Sequence, residues 1–276
     1  MRKKLVIAII HGIGDQKVNF ASDFIEKIKK QLAKLSLDSG DVIFFPIYWA
    51  DIVEPRQKAY LNAAISQGSL DYRFIRRFVI SALGDAGAYQ KVNSSNNSTY
   101  VDIHQRISTQ FESLKENGVT DNTPLMIIAH SLGGHIMSNY IWDLQHINKM
   151  GSNNFENMKT LCGIVTFGCN IPLFTFSYPQ LQPITFPALE ISDELKSKSK
   201  WLNFYDPDDV LGYPLKPLGD KYSDVVSEDI VINVGGLLTS WNPLSHNAYW
   251  KDDDFINPVS IFIGSFLYSD NSSITP

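Results

Sequence analysis

Short apolar runs alternate along the chain with longer stretches in which apolar residues recur every three or four positions. "LVIAII" (Leu5–Ile10) is continuous enough for a strand buried on both faces. Phe24, Ile25, Ile28, Leu32 and Leu35 then predict a helix over Phe20–Leu35. "DVIFFPIYW" (Asp41–Trp49) reads as a second strand. "RQKAYLNAAI" and "YRFIRRFVISAL", inside Pro55–Val92, predict two helices, and Ser94–Ser98 is a polar loop. Val101, Ile107, Phe111 and Leu114 predict a helix over Tyr100–Lys115. "PLMIIA" (Pro124–Ala129) is a third strand, followed by a helix over Leu132–Ile147. Strands four to six are expected at Leu161–Gly168, Lys200–Asp206 and Asp229–Gly235. A last helix is expected over Phe255–Tyr268, with Pro258 favouring a late start.

Strands separated by helices predict an α/β fold, a mostly parallel sheet with helices on both faces. There are no repeats and no dividing linker, so the chain reads as one domain over 1–276. Two insertions interrupt it: about 51–98, helical and a lid candidate, and 171–199, rich in aromatic residues and proline.

Composition narrows the function classes. With 44% hydrophobic and 19% charged residues, the 276-residue chain can fill a core and is not a disordered polypeptide. A formal charge of −5 and the lack of a long basic run argue against nucleic acid as a partner. The basic start "MRKK" precedes an apolar run too short for a signal peptide, and no stretch approaches the ~20 apolar residues of a membrane span. Cys162 and Cys169 are too few for a disulfide framework and suit buried thiols in a reducing compartment, so a cytoplasmic location is expected.

Candidate chemistry collects at strand ends. In "AHSLGG", Ser131 falls between a strand and a helix, with small residues at Ala129 and Gly133. A serine in so tight a turn is held in strained backbone, its hydroxyl directed off the sheet edge, with the positive end of the next helix behind it. The plain alternative is a serine capping an ordinary helix. "HGIGDQ" puts His11, Gly12, Ile13 and Gly14 at the carboxyl end of the first strand, where catalytic loops of parallel sheets gather. It could equally be a turn closing a βα unit, and it lacks the G-x-G-x-x-G spacing of a dinucleotide site.

Together "HGIGDQ", "AHSLGG", "VTFGCNIPLF", "NFYDPDDVLGYPL" and "SHNAYW" resemble a serine esterase or lipase of the α/β-hydrolase superfamily, from residue 8 to about residue 250. The A-x-S-x-G form departs from the usual G-x-S-x-G nucleophile elbow at Ala129. The resemblance implies Ser131 as nucleophile and His246, in "NPLSHNAYW", as base. It implies backbone oxyanion donors at Ile13 and Leu132. It implies no cofactor and no metal.

The other histidines read as a flank of the serine (His130) or helix positions (His104, His135, His146). For the acid, Asp206, Asp208 and Asp209 all follow the fifth strand, and some must be turn residues. The frame of Asp208 and Val210 resembles the D-x-V segment of class 3-type lipases. "DDVLGYPLKPL" resembles the matching stretch of DDHD-type intracellular phospholipases. Asp208 is therefore expected to be the acid, with Asp209 and then Asp206 as alternatives.

The expected activity is hydrolysis of a small-molecule or lipid ester, and thioesterase or acyltransferase chemistry would use the same residues. A non-catalytic module binding a ligand or protein partner is the competing class. Phe174, Phe176, Tyr178 and Phe186 are candidates for an acyl pocket or for packing under a loop. "RFIRRFVISAL", amphipathic and basic, is a candidate for peripheral membrane contact or for a helix packed on the core.

Overall fold

The computed structural model describes residues 5–14, 16–67, 80, 83–90, 98–146, 151–176, 178–235 and 245–268. These form one parallel sheet of β1 (Leu5–Ile10), β2 (Val42–Ile47), β3 (Leu125–His130), β4 (Leu161–Phe167), β5 (Lys200–Tyr205) and β6 (Glu228–Val231). The spatial order is β2-β1-β3-β4-β5-β6, and every neighbouring pair is parallel. Every residue of β1, β3 and β4 is buried, as expected of central strands covered on both faces. The half-exposed β2 and β6 form the edges, and Pro46, which has no N–H to donate, is tolerated in β2 for that reason.

The helices with defined bounds are α1 (Ser22–Lys34), α2 (Glu54–Gln67), α3 (Ser98–Ser113), α4 (Leu132–His146), α5 (Asp193–Lys198), α6 (Asp220–Val225) and α7 (Asp253–Ser265), and residues 83–88 are helical as well. α1 and α7 cover one face. Phe255 of α7 lies 5.9 Å from Phe24, 4.3 Å from Phe167 and 5.1 Å from Phe204, ring centre to ring centre. α4 covers the other face with a stripe of Ile136, Met137, Tyr140 and Ile141. α3 joins it there, Phe111 against Phe45 of β2 and the Tyr100 hydroxyl donating to Asp143 of α4.

This is an α/β fold, with helices on both faces as the alternation of elements predicts. The strand order reverses between β1 and β3, so the connections leaving these two strands diverge to opposite faces. A crevice opens at such a point, at the carboxyl ends of the strands. Both sequence motifs, after β1 and after β3, flank it.

Most boundaries agree with expectation within a few residues, and β1 agrees at both ends. Two do not. β6 stops at Val231 rather than Gly235, because only Ile232 continues the ladder before the Val234 N–H turns to Asp206. α7 starts at Asp253, ahead of Pro258, because the Asp252 carboxylate accepts the Asp254 N–H and caps it there. The short α5 and α6 carry too few residues for a readable period. "RQKAYLNAAI" lies within α2, and most of "YRFIRRFVISAL" lies outside the described residues.

Candidate active site

Ser131 follows β3 directly. Its N–H donates to the Phe167 carbonyl (3.0 Å), continuing the pairing with β4 by one residue. The chain then bends sharply, with Ser131 at φ +52° and Leu132 opening α4. A left-handed conformation costs a non-glycine residue about 1–2 kcal/mol, and it persists only where packing dictates it. That packing comes from the β1 loop. A Cβ on Gly12 would lie 2.5 Å from Ser131 Cβ and 3.1 Å from its Oγ, and one on Gly133 would lie 2.6 Å from the His11 carbonyl. Only glycine at both positions lets the two turns seat on each other.

His246 arrives from far along the chain, on a 3-10 helix over Ser245–Lys251. Its Nε2 lies 2.7 Å from Ser131 Oγ, and its Nδ1 lies 2.9 Å from Asp209 Oδ2 and 3.1 Å from Oδ1. A carboxylate can only accept, so Nδ1 carries the proton and Nε2 offers its lone pair to the serine hydroxyl. Ser131, His246 and Asp209 are all buried. Asp209 also accepts the Leu211 N–H on Oδ1 (3.0 Å) and the Tyr249 hydroxyl on Oδ2 (3.0 Å). Burial pushes its carboxyl up. The hydrogen bond and charge of His246, with the Leu211 amide and the Tyr249 hydroxyl, outweigh that and hold it below the usual carboxylate range.

The aspartate against His246 is thus Asp209, not Asp208 as the D-x-V frame predicts. Turn geometry decides it. Asp206 Oδ1 accepts the Asp208 N–H (2.8 Å) and the Asp206 carbonyl accepts the Asp209 N–H (3.0 Å), so Asp206 builds the turn. Its Oδ2 is committed to the Val234 N–H (2.7 Å). That turn sends the Asp208 side chain outward, to an open cleft of about 540 Å³ also lined by Val231, Asn233 and Asp254, and brings Asp209 back underneath.

Of the expected oxyanion donors, Leu132 is the first residue of α4, where no helix carbonyl accepts its amide. Ile13 follows Gly12 on the loop that touches Ser131, and the next amide, Gly14 N–H, is taken by Asp85 Oδ2 (3.0 Å). His11 fixes this loop from below. It stacks on Trp49 (5.0 Å, 11°), its Nε2 accepts the Trp49 N–H (3.2 Å), and its Nδ1 lies 2.8 Å from the Gly12 carbonyl.

Burial lowers the His11 pKa to about 4. Burial, and then the neighbouring His246, put His130 well below its ordinary value. Both rings are therefore neutral when folded and titrate near 6.5 when unfolded. Below that pH the unfolded chain binds more protons than the folded one, so stability falls as pH falls, by about 1.4 kcal/mol per unit for each ring. The melting temperature is expected to drop steadily from pH 6.5 towards 4.5. A melting temperature that is level across that range would contradict the neutral, buried state of these two rings.

No model of a known protein family matches the chain, and no curated protein matches it. Three features of the site's geometry carry no motif in the sequence. Tyr249 is one. The others are Gly168 (φ +51°) and Gly212, where a Cβ would lie 3.2 Å and 2.7 Å from Asp209 Oδ2. "SHNAYW" does place a tyrosine three residues after the histidine, near enough to share its short helix. The segment after β4 divides: Phe174 stacks on His135 (4.3 Å, 13°), Phe186 packs on the core, and Phe176 and Tyr178 are exposed.

Proposed function

We propose that this chain is a serine hydrolase of the α/β-hydrolase type that cleaves a carboxylic ester. The unbroken line from Ser131 Oγ through both ring nitrogens of His246 to Asp209, at 2.7 and 2.9 Å, carries this reading. A serine that merely capped α4 would need neither the left-handed backbone nor an imidazole lone pair aimed at its hydroxyl.

Ser131 Oγ attacks the ester carbonyl carbon as His246 Nε2 takes its proton. The carbonyl oxygen becomes an oxyanion facing the Ile13 and Leu132 amides, with the positive end of α4 behind it. Asp209 stays ionised and steadies the imidazolium. When the tetrahedral adduct collapses, His246 returns the proton to the departing alkoxide, and an alcohol leaves an acyl-serine. A water molecule, deprotonated by His246, attacks the acyl carbon. The second collapse frees the acid and restores the serine hydroxyl.

Among the described residues no helix is long and apolar enough to cross a membrane. Leu173, Phe176 and Tyr178, exposed on the segment that leaves β4 at the same edge as Ser131, favour an apolar or lipid ester over a highly charged one. A series of p-nitrophenyl esters of increasing acyl length tests the reading. Turnover is expected to rise from acetate to a medium chain. Failure to hydrolyse any member would contradict the proposed activity.

A further inference from the structure

Asp209 has two side-chain partners, and the function proposed above uses only one. The other is Tyr249. Its ring is fully buried, and its hydroxyl is engaged twice. It donates to Asp209 Oδ2 (3.0 Å), the same oxygen that His246 Nδ1 approaches most closely. It accepts the Asp206 N–H (2.8 Å), from the turn that presents Asp209. Tyr249 and His246 ride on one 3-10 helix, so a single element delivers both groups to the carboxylate.

From this geometry we infer that Tyr249 is a positioning residue: its hydroxyl fixes the Asp209 carboxylate and sets how strongly it holds the His246 proton. The inference rests on the serine-hydrolase reading. A donor on Oδ2 draws carboxylate charge away from the imidazolium, so losing that donor tightens the hold of Asp209 on the His246 Nδ1–H. Burial and the nearby Asp209 raise the phenol, so it remains a donor at every working pH. Among the described residues, the polar and ionisable groups around the His246 ring come from three elements. Asp209 faces it from the β5 loop and Ser131 from the β3 turn. His130, neutral, lies 4.7 Å away at the end of β3 and holds the His246 carbonyl (2.7 Å). Tyr249 acts from its own helix, and Asp206 lies behind Tyr249.

The readout is the rate of fluorophosphonate labelling between pH 5 and 9, which needs no knowledge of the natural substrate. In Tyr249→Phe the acid limb of that profile is expected to move to higher pH by about half a unit, because the carboxylate charge is then concentrated on the imidazolium. Site-specific replacement of Tyr249 by 3-fluorotyrosine, a stronger donor, is expected to move it to lower pH, and it keeps the question open to test if Tyr249→Phe fails to fold. Folded variants whose limb coincides with wild type, or moves the opposite way, would overturn the role given to Tyr249. If the wild type itself shows no labelling that depends on Ser131, the hydrolase reading fails instead.

Discussion

Ser131→Ala and His246→Ala are each expected to lower kcat for ester hydrolysis by about 10⁶-fold, and the double variant is expected to be little worse. In the proposed mechanism Ser131 and His246 act as one unit: without the 2.7 Å contact neither the proton transfer nor the attack would proceed, so removing the second partner is expected to remove nothing further. Folding should survive in Ser131→Ala, since the variant keeps the Cβ that Gly12 accommodates and loses only the hydroxyl. Steady-state kinetics beside melting curves separate the two effects. If Ser131→Ala retained a tenth of wild-type kcat, Ser131 would not be the nucleophile.

The second large effect separates adjacent aspartates. Asp209→Asn is expected to lower kcat by at least about 10²-fold and by as much as about 10⁴, because an amide can no longer hold Nδ1 protonated and steady the imidazolium. Asp208→Asn should stay within a few-fold, since its side chain faces the open cleft. Asp206→Asn should act mainly through stability, at a cost of about 1–3 kcal/mol. Both Asp206 carboxylate oxygens accept a backbone N–H, and an amide NH₂ in place of one leaves that N–H unpaired. Measuring kcat and melting temperature for all three in one buffer decides the assignment. An active Asp209→Asn beside an inactive Asp208→Asn would reverse it.

These three aspartates also mark where the sequence stops being readable. Ser131 is legible because its chemistry is local. An apolar run ending in A-H-S-L-G-G fixes a strand, a turn and a helix start within six residues. His246 is legible because the remaining histidines lie on helices, on the β1 loop or beside the serine. The aspartate that meets His246 is not, since Asp206, Asp208 and Asp209 have the same chemistry and lie within four residues. Which of them turns inward depends on the Asp206 hydrogen bonds to Asp208 and Val234, and the second of these closes across 28 positions of the chain.

Tyr249 escapes notice for the same reason, because its relation to Asp209 exists only after the β5 loop and the Ser245–Lys251 helix are brought together. At the level of the fold, continuous apolar strands such as β1 declare themselves by burial on both faces. The end of β6 and the start of α7 are set by single backbone N–H groups donating to the Asp206 and Asp252 carboxylates, which leaves no periodic trace.

The central claim is that Ser131 is a nucleophile activated by His246. The most direct measurement is the mass of the intact protein after reaction with a fluorophosphonate, followed by peptide mapping of the adduct. One phosphonyl group per chain is expected, carried on Ser131, formed rapidly in wild type, slowly in Asp209→Asn and not at all in Ser131→Ala. An adduct mapped to another residue, or labelling of Ser131→Ala at the wild-type rate, would contradict the account.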